Sequence, residues 1–161
     1  MQQLTETARY DTDFALWAET QAAALRERRY ADLDFENLSE EIEDLSKRLQ
    51  HKIVSNLIVV QLHLLKQQYQ PERASKSWRD TIAEHVDRIA LLIEDSPSLA
   101  GGLPGFADRA YRYARRKASR ETHLPIATFP EQPTKDLSFA LMAALNGEPY
   151  DFWVPGGDVT P

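Results

Sequence analysis

The sequence predicts an all-α protein, an antiparallel bundle of four to five helices with one long central helix and an irregular aromatic C-terminal tail. Three observations carry this. Apolar residues recur at steps of three and four along most of the chain, and no strand-like alternation persists. The stretch 37–69 keeps that period through Leu38, Ile42, Leu45, Leu49, Ile53, Leu57, Val60 and Leu64. Proline and glycine gather between the periodic stretches, at 96–105 and 123–133. A chain of 161 residues has the size of one ordinary domain, so a single domain over 1–161 is expected.

The first helix is expected to start after Asp11 or Thr12, both good N-caps, and to run to about Arg29. Phe14, Trp17, Ala18, Gln21, Ala24, Leu25 and Arg28 share one side of it. Residues 30–36 read as a connector. The long helix starts near Asn37, with Glu40 placed to reach back in a capping-box variant, and Pro71 sets its end. Its stretch 53–65 is apolar nearly all round and calls for enclosure by other helices. A third helix begins at Ser77, with Asp80 three residues on, and presents Trp78, Ile82, Val86, Ile89 and Ile93 as its buried stripe. A fourth covers about 104–121. After a proline-rich connector at 123–133, a short fifth covers about 135–145 and stops at Gly147. The tail "PYDFWVP" carries Tyr150, Phe152 and Trp153. These rings are expected to dock, either on the chain's own bundle or on a second subunit as a homodimer contact.

Bulk properties narrow the function classes. The net charge of −6 disfavours general binding to nucleic acid or to an anionic membrane. With no cysteine there is no disulfide, thiolate zinc site or thiol nucleophile. The first residues lack a basic stretch followed by an apolar run, and the apolar-rich run 53–65 is too short to span a bilayer. A cytoplasmic location is the expectation.

Charge is distributed unevenly. Residues 32–45, "DLDFENLSEEIEDL", hold seven carboxylates and no cation. On a helix, Glu36, Glu40, Glu43 and Lys47 lie along one stripe, and Glu41, Asp44 and Arg48 along its neighbour. Helix chemistry offsets part of the like-charge cost: the first turn favours acids, and Glu43–Lys47 and Asp44–Arg48 are favourable pairs four apart. Residues 109–120, "RAYRYARRKASR", hold six cations and no acid. There Arg109, Arg112, Arg116 and Arg120 follow steps of three, four and four along one face. The two runs read as a charge-matched helix contact, as separately solvated faces, or as a basic face for phosphate or an acidic partner, which arginine forks suit.

Complete catalytic or metal motifs are missing. Carboxylate-bridged metal bundles use Glu-x-x-His pairs. The residues three before His51, His63, His85 and His123 are Arg48, Val60, Ile82 and Arg120. No phosphate-binding glycine loop, dinucleotide fingerprint or nucleophile elbow occurs. No metal and no cofactor is called for.

"NLSEEIEDLSK" (37–47), "HLLKQQYQP" (63–71), "SWRDTI" (77–82) and "AYRYARRKASRETHLP" (110–125) resemble, in order and spacing, the signatures of domain-of-unknown-function family 29. "YDTDFALWAETQAAALR" (10–26) and "SPSL" (96–99) fit as well. The resemblance covers about 10–130. It implies a compact bacterial α-helical domain and brings no activity and no catalytic residues. Its motifs single out His63, Lys66, Tyr69, Trp78 and Arg79 as a further polar network, inside the bundle or at a surface groove.

The leading expectation is a non-enzymatic binding or regulatory module with an unidentified protein partner. The alternative is an enzyme directed at phosphate or nucleic acid. In it Glu36, Glu40 or Glu43 supply a base or metal ligand, and Arg112, Arg116 or Arg120 hold phosphate.

Overall fold

A computed structural model describes residues 10–148. The aromatic tail from Pro149 onward, and its expected docking, lie outside the described residues. Among these, all regular structure is helical. After a helical stretch at residues 10–12, α1 (Phe14–Arg26), α2 (Phe35–Tyr69), α3 (Lys76–Asp95), α4 (Leu103–Thr122) and α5 (Lys135–Leu145) follow one another. Single tight turns at Tyr30–Asp32, Pro71–Arg73 and Ile126–Thr128, and a longer one at Pro97–Gly102, link them. The chain forms two compact units that divide after Arg48, within α2.

In the first unit, α1 starts one or two residues later than expected because Asp13 is its cap, accepting from the Leu16 amide at 3.0 Å. It also ends three residues early. Arg28 takes a left-handed conformation at φ 56°. The Arg29 amide then closes on the Ala24 carbonyl at 2.9 Å, and the Arg28 amide on that of Leu25 at 3.2 Å. This double closure satisfies the last carbonyls and turns the chain. The cap of α2 is Asp34, not Asn37. Asp34 Oδ1 accepts from the Asn37 amide at 3.2 Å and Oδ2 from the Asn37 side chain at 2.6 Å, so Asn37 is the donor to the cap. The same carboxylate accepts from Trp17 Nε1 at 3.2 Å, and the Asp34 amide donates to Gln21 Oε1 at 2.8 Å. Trp17, Gln21 and Ala24 are the buried residues of α1.

The second unit holds the main core. Ile53, Leu57, Val60 and Leu64 of α2 are fully buried, as the apolar stretch 53–65 required. Ile82, Val86 and Ile89 of α3 pack there, with Tyr111 and three alanines of α4, Phe129, and Leu137 and Leu141 of α5. Asn56 meets His85 and His63 meets Trp78, so α3 runs back along α2. The contacts Gln61–Ala107 and Gln70–Thr122 rise together in number, so α4 returns in the sense of α2. Ser75, not Ser77, caps α3, accepting from the Trp78 amide at 3.4 Å. The fifth helix ends as its sequence indicates. Gly147 sits at φ 70°, and the Glu148 and Gly147 amides close on the carbonyls of Ala143 and Ala144 at 2.8 and 3.1 Å. No helix among the described residues is long and apolar enough to cross a membrane.

Candidate functional site

Helix α4 has two faces of opposite character. Ala110, Ala114 and Ala118 are fully buried, which lets its backbone lie close to the core. Arg109, Arg112, Tyr113, Arg116, Lys117 and Arg120 are exposed. The arginine stripe predicted at steps of three and four is therefore brought onto one open side. Beside it runs a groove. Part of it, a cavity of ≈ 570 Å³, is lined by Arg116, Lys117 and Arg120, with Ser55, Ser119 and Tyr113, over an apolar floor that includes Ile58 and Ile126. A hollow of ≈ 400 Å³ holds Arg112 and Arg116, and another of ≈ 180 Å³ holds His51 and Arg109. All three share Tyr113.

The cations of this face differ in what holds them. Arg115 is structural: its Nε donates to the Phe129 carbonyl at 2.9 Å and its Nη2 to that of Ile126 at 3.2 Å. Together with Tyr111, whose hydroxyl donates to the Pro130 carbonyl at 2.9 Å, it clamps 126–130 and so places Ile126 in the groove. Arg109 Nη2 donates to His51 Nε2 at 3.3 Å. The Arg116 guanidinium lies 4.9 Å from the centre of the Tyr113 ring, an orienting contact that leaves its donors available. Among the described residues of the second unit, Lys66–Glu121 at 2.9 Å is the ion pair that reaches α4, and the guanidinium forks of Arg112, Arg116 and Arg120 have no carboxylate within ion-pair distance, although Glu131 lines the hollow of Arg112 and Arg116. Sequence reasoning passed over Tyr113, Lys117 and Ser55. For Tyr113 a signal existed: it stands four residues after Arg109 and three before Arg116, on their face.

The second predicted group divides. His63, Lys66 and Trp78 come together: the His63 and Trp78 rings meet edge to face at 6.4 Å, and Lys66 Nζ lies 4.6 Å over the indole. Tyr69 packs instead against Phe129, at 4.8 Å between rings. Arg79 is exposed. His63 Nδ1 is 2.9 Å from the Val59 carbonyl, and His85 Nδ1 is 2.7 Å from Asn56 Oδ1. Burial pushes the basicity of His63 below the ordinary histidine value; the bond to Val59 opposes this and the Lys66 charge adds to it. Burial, then the Arg88 charge, lowers His85 too. Both favour the neutral imidazole.

The acidic run is held by its own unit. Asp34 caps α2, and Asp32 pairs with Arg29. Glu41 accepts from the Tyr10 hydroxyl at 2.9 Å and from Arg48 at 3.4 Å. Asp44 pairs with Lys47 at 2.9 Å, and this hydrogen bond holds the Asp44 carboxyl below its ordinary value and the Lys47 amine above. Glu36, Glu40 and Glu43 are exposed, with Glu43 3.8 Å from Lys47. No three His, Asp or Glu side chains gather as a metal site would require, among the described residues.

These features define a class: an all-helical domain with a cationic, apolar-floored groove along one helix. The model of the family described as Domain of unknown function DUF29 matches residues 9–145, and the chain belongs to that family. No curated protein and no solved structure matches the chain.

Proposed function

We propose that the protein is a non-enzymatic binding module that holds a phosphate-bearing ligand in the groove along α4. One observation carries this reading: Arg116, Lys117 and Arg120 line one cavity with an apolar floor, beside the Ser55 hydroxyl. Planar guanidinium forks suit phosphate oxygens, while the apolar floor suits the non-ionic body of a small ligand. The net charge of −6 supports a compact anion over a nucleic-acid duplex, whose long-range field the whole chain opposes.

Calorimetric titration with inorganic triphosphate at low salt tests the reading. Binding is expected in the micromolar to millimolar range, with the Arg116→Ala/Arg120→Ala variant weaker by roughly tenfold or more, since a charge-assisted hydrogen bond contributes about 1.5–3 kcal/mol. Affinity falls as salt rises. No binding, or equal binding by the variant, refutes it. Release of inorganic phosphate during the titration supports the enzymatic alternative instead.

A further inference from the structure

The second unit holds another hollow, with no cation among its described lining residues. It measures ≈ 410 Å³. Val86, Ile89 and Ile93 of α3 line it, with Met142 and Leu145 of α5 and Leu103 at the start of α4. Ile89 is 1% exposed and Val86 8%, whereas Met142 is 51% exposed. Glu94 and Asn146 are the polar members of the lining. An apolar seam left open between two packed helices calls for a further covering element.

The course of the chain indicates that element. Asn146 lines the hollow, and Gly147 at φ 70° then turns the chain out of α5. The described residues stop at Glu148, two positions past that lining residue, and thirteen more follow in the sequence. Tyr150 and Phe152 stand four and six residues after Asn146. At a limit of about 3.3–3.6 Å per residue they reach about 14 and 21 Å. The α3 side of the hollow, from Val86 to Ile93, is about 10 Å long and falls within that reach. We propose that the segment 149–153 folds back on its own chain and covers this hollow, with Tyr150 and Phe152 seated between α3 and α5. Alternate side chains of an extended segment share a face. Tyr150 and Phe152 then enter together, and Asp151 between them stays in water, turned from the Glu94 charge. A seated tyrosine needs a partner for its hydroxyl, and the Glu94 carboxylate and Asn146 amide oxygen supply acceptors. The proposal is independent of the ligand assigned to the α4 groove.

Because the chain has no cysteine, an introduced pair forms the one possible disulfide within it. In the full chain, Trp153→Cys is combined in turn with Ala90→Cys and Glu94→Cys in the hollow, and with Ser55→Cys in the α4 groove. Each protein is equilibrated in a glutathione buffer. A disulfide within one chain is expected with Ala90→Cys or Glu94→Cys, since bridging needs backbones closer than about 7 Å. The tether alone brings position 153 near α3, so each pair is repeated with Tyr150→Ser/Phe152→Ser. Loss of the two rings is expected to lower the equilibrium constant for closure roughly tenfold or more. In the cysteine-free chain the same two substitutions are expected to lower the melting temperature by about 2–4 °C or more, equally at all protein concentrations. No closure at either position in the hollow overturns the proposal, as does closure indifferent to the ring substitutions. Preferred closure with Ser55→Cys overturns it too, and places the tail in the α4 groove. An unchanged melting temperature, or one that depends on protein concentration together with disulfides between chains, likewise overturns it; the latter puts the rings on a second copy.

Discussion

The clamp on residues 126–130 gives the sharpest quantitative test of how the α4 groove is built. The Tyr111 ring is 1% exposed, and its hydroxyl donates to the Pro130 carbonyl at 2.9 Å. Tyr111→Phe keeps the packing and removes that bond, which contributes about 0.5–1.5 kcal/mol net. Pro130 is partly exposed, so its freed carbonyl can turn to water, and about 1 kcal/mol is expected. In a domain of this size that lowers the melting temperature by about 2–4 °C. Arg115→Met keeps an apolar stem and removes the donors to Phe129 and Ile126 at 2.9 and 3.2 Å. Arg115 is half-buried, so solvent moderates the loss to about 1–2 kcal/mol. Both residues restrain one short segment. Once either lets go, the other holds a looser partner, and the double variant should lose less than the sum by about 0.5 kcal/mol or more. Urea unfolding of the four proteins, followed by far-UV circular dichroism, measures this. Losses that add to within about 0.3 kcal/mol refute a shared clamp. The same variants should weaken triphosphate binding, because Ile126 forms part of the groove floor.

Two further outcomes follow from other parts of the chain. Asp34→Ala removes the cap of α2 and the acceptor for Trp17, and is expected to destabilise the first unit by about 2–3 kcal/mol; unchanged hydrogen exchange in α1 would show that the carboxylate does not join the two helices. His63 and His85 are both held below the ordinary histidine value, so the unfolded chain takes up protons first as pH falls. Stability is then full above the unfolded value of 6.5 and declines below it, down through the folded values. Unfolding midpoints between about pH 7.5 and 5 should fall for the wild type and fall less for His63→Gln, whereas parallel curves refute the assignment to His63.

Helices and their ends were legible wherever the cause is local. Gly147 needs a left-handed turn, and its own lack of a Cβ predicts it. The apolar stretch 53–65 needed enclosure, and Ile53, Leu57, Val60 and Leu64 are fully buried. The cationic stripe of α4 followed from its spacing alone. Caps were harder, because Asp34 and Asn37 are both good N-caps in sequence. The choice lies with Trp17 and Gln21, seventeen and thirteen residues away, which hold Asp34 in place. Periodicity likewise names a stripe without saying what covers it: Ile42 and Ile53 stand on the same stripe of one helix, yet one is 65% exposed and the other 0%. Arg115 and Arg116 are adjacent and chemically identical. Only the path of 126–130 makes the first a clamp on two carbonyls and leaves the second facing the groove. Local backbone chemistry acts within a few residues and is written in order along the chain. Burial and partnership depend on segments that meet only after folding.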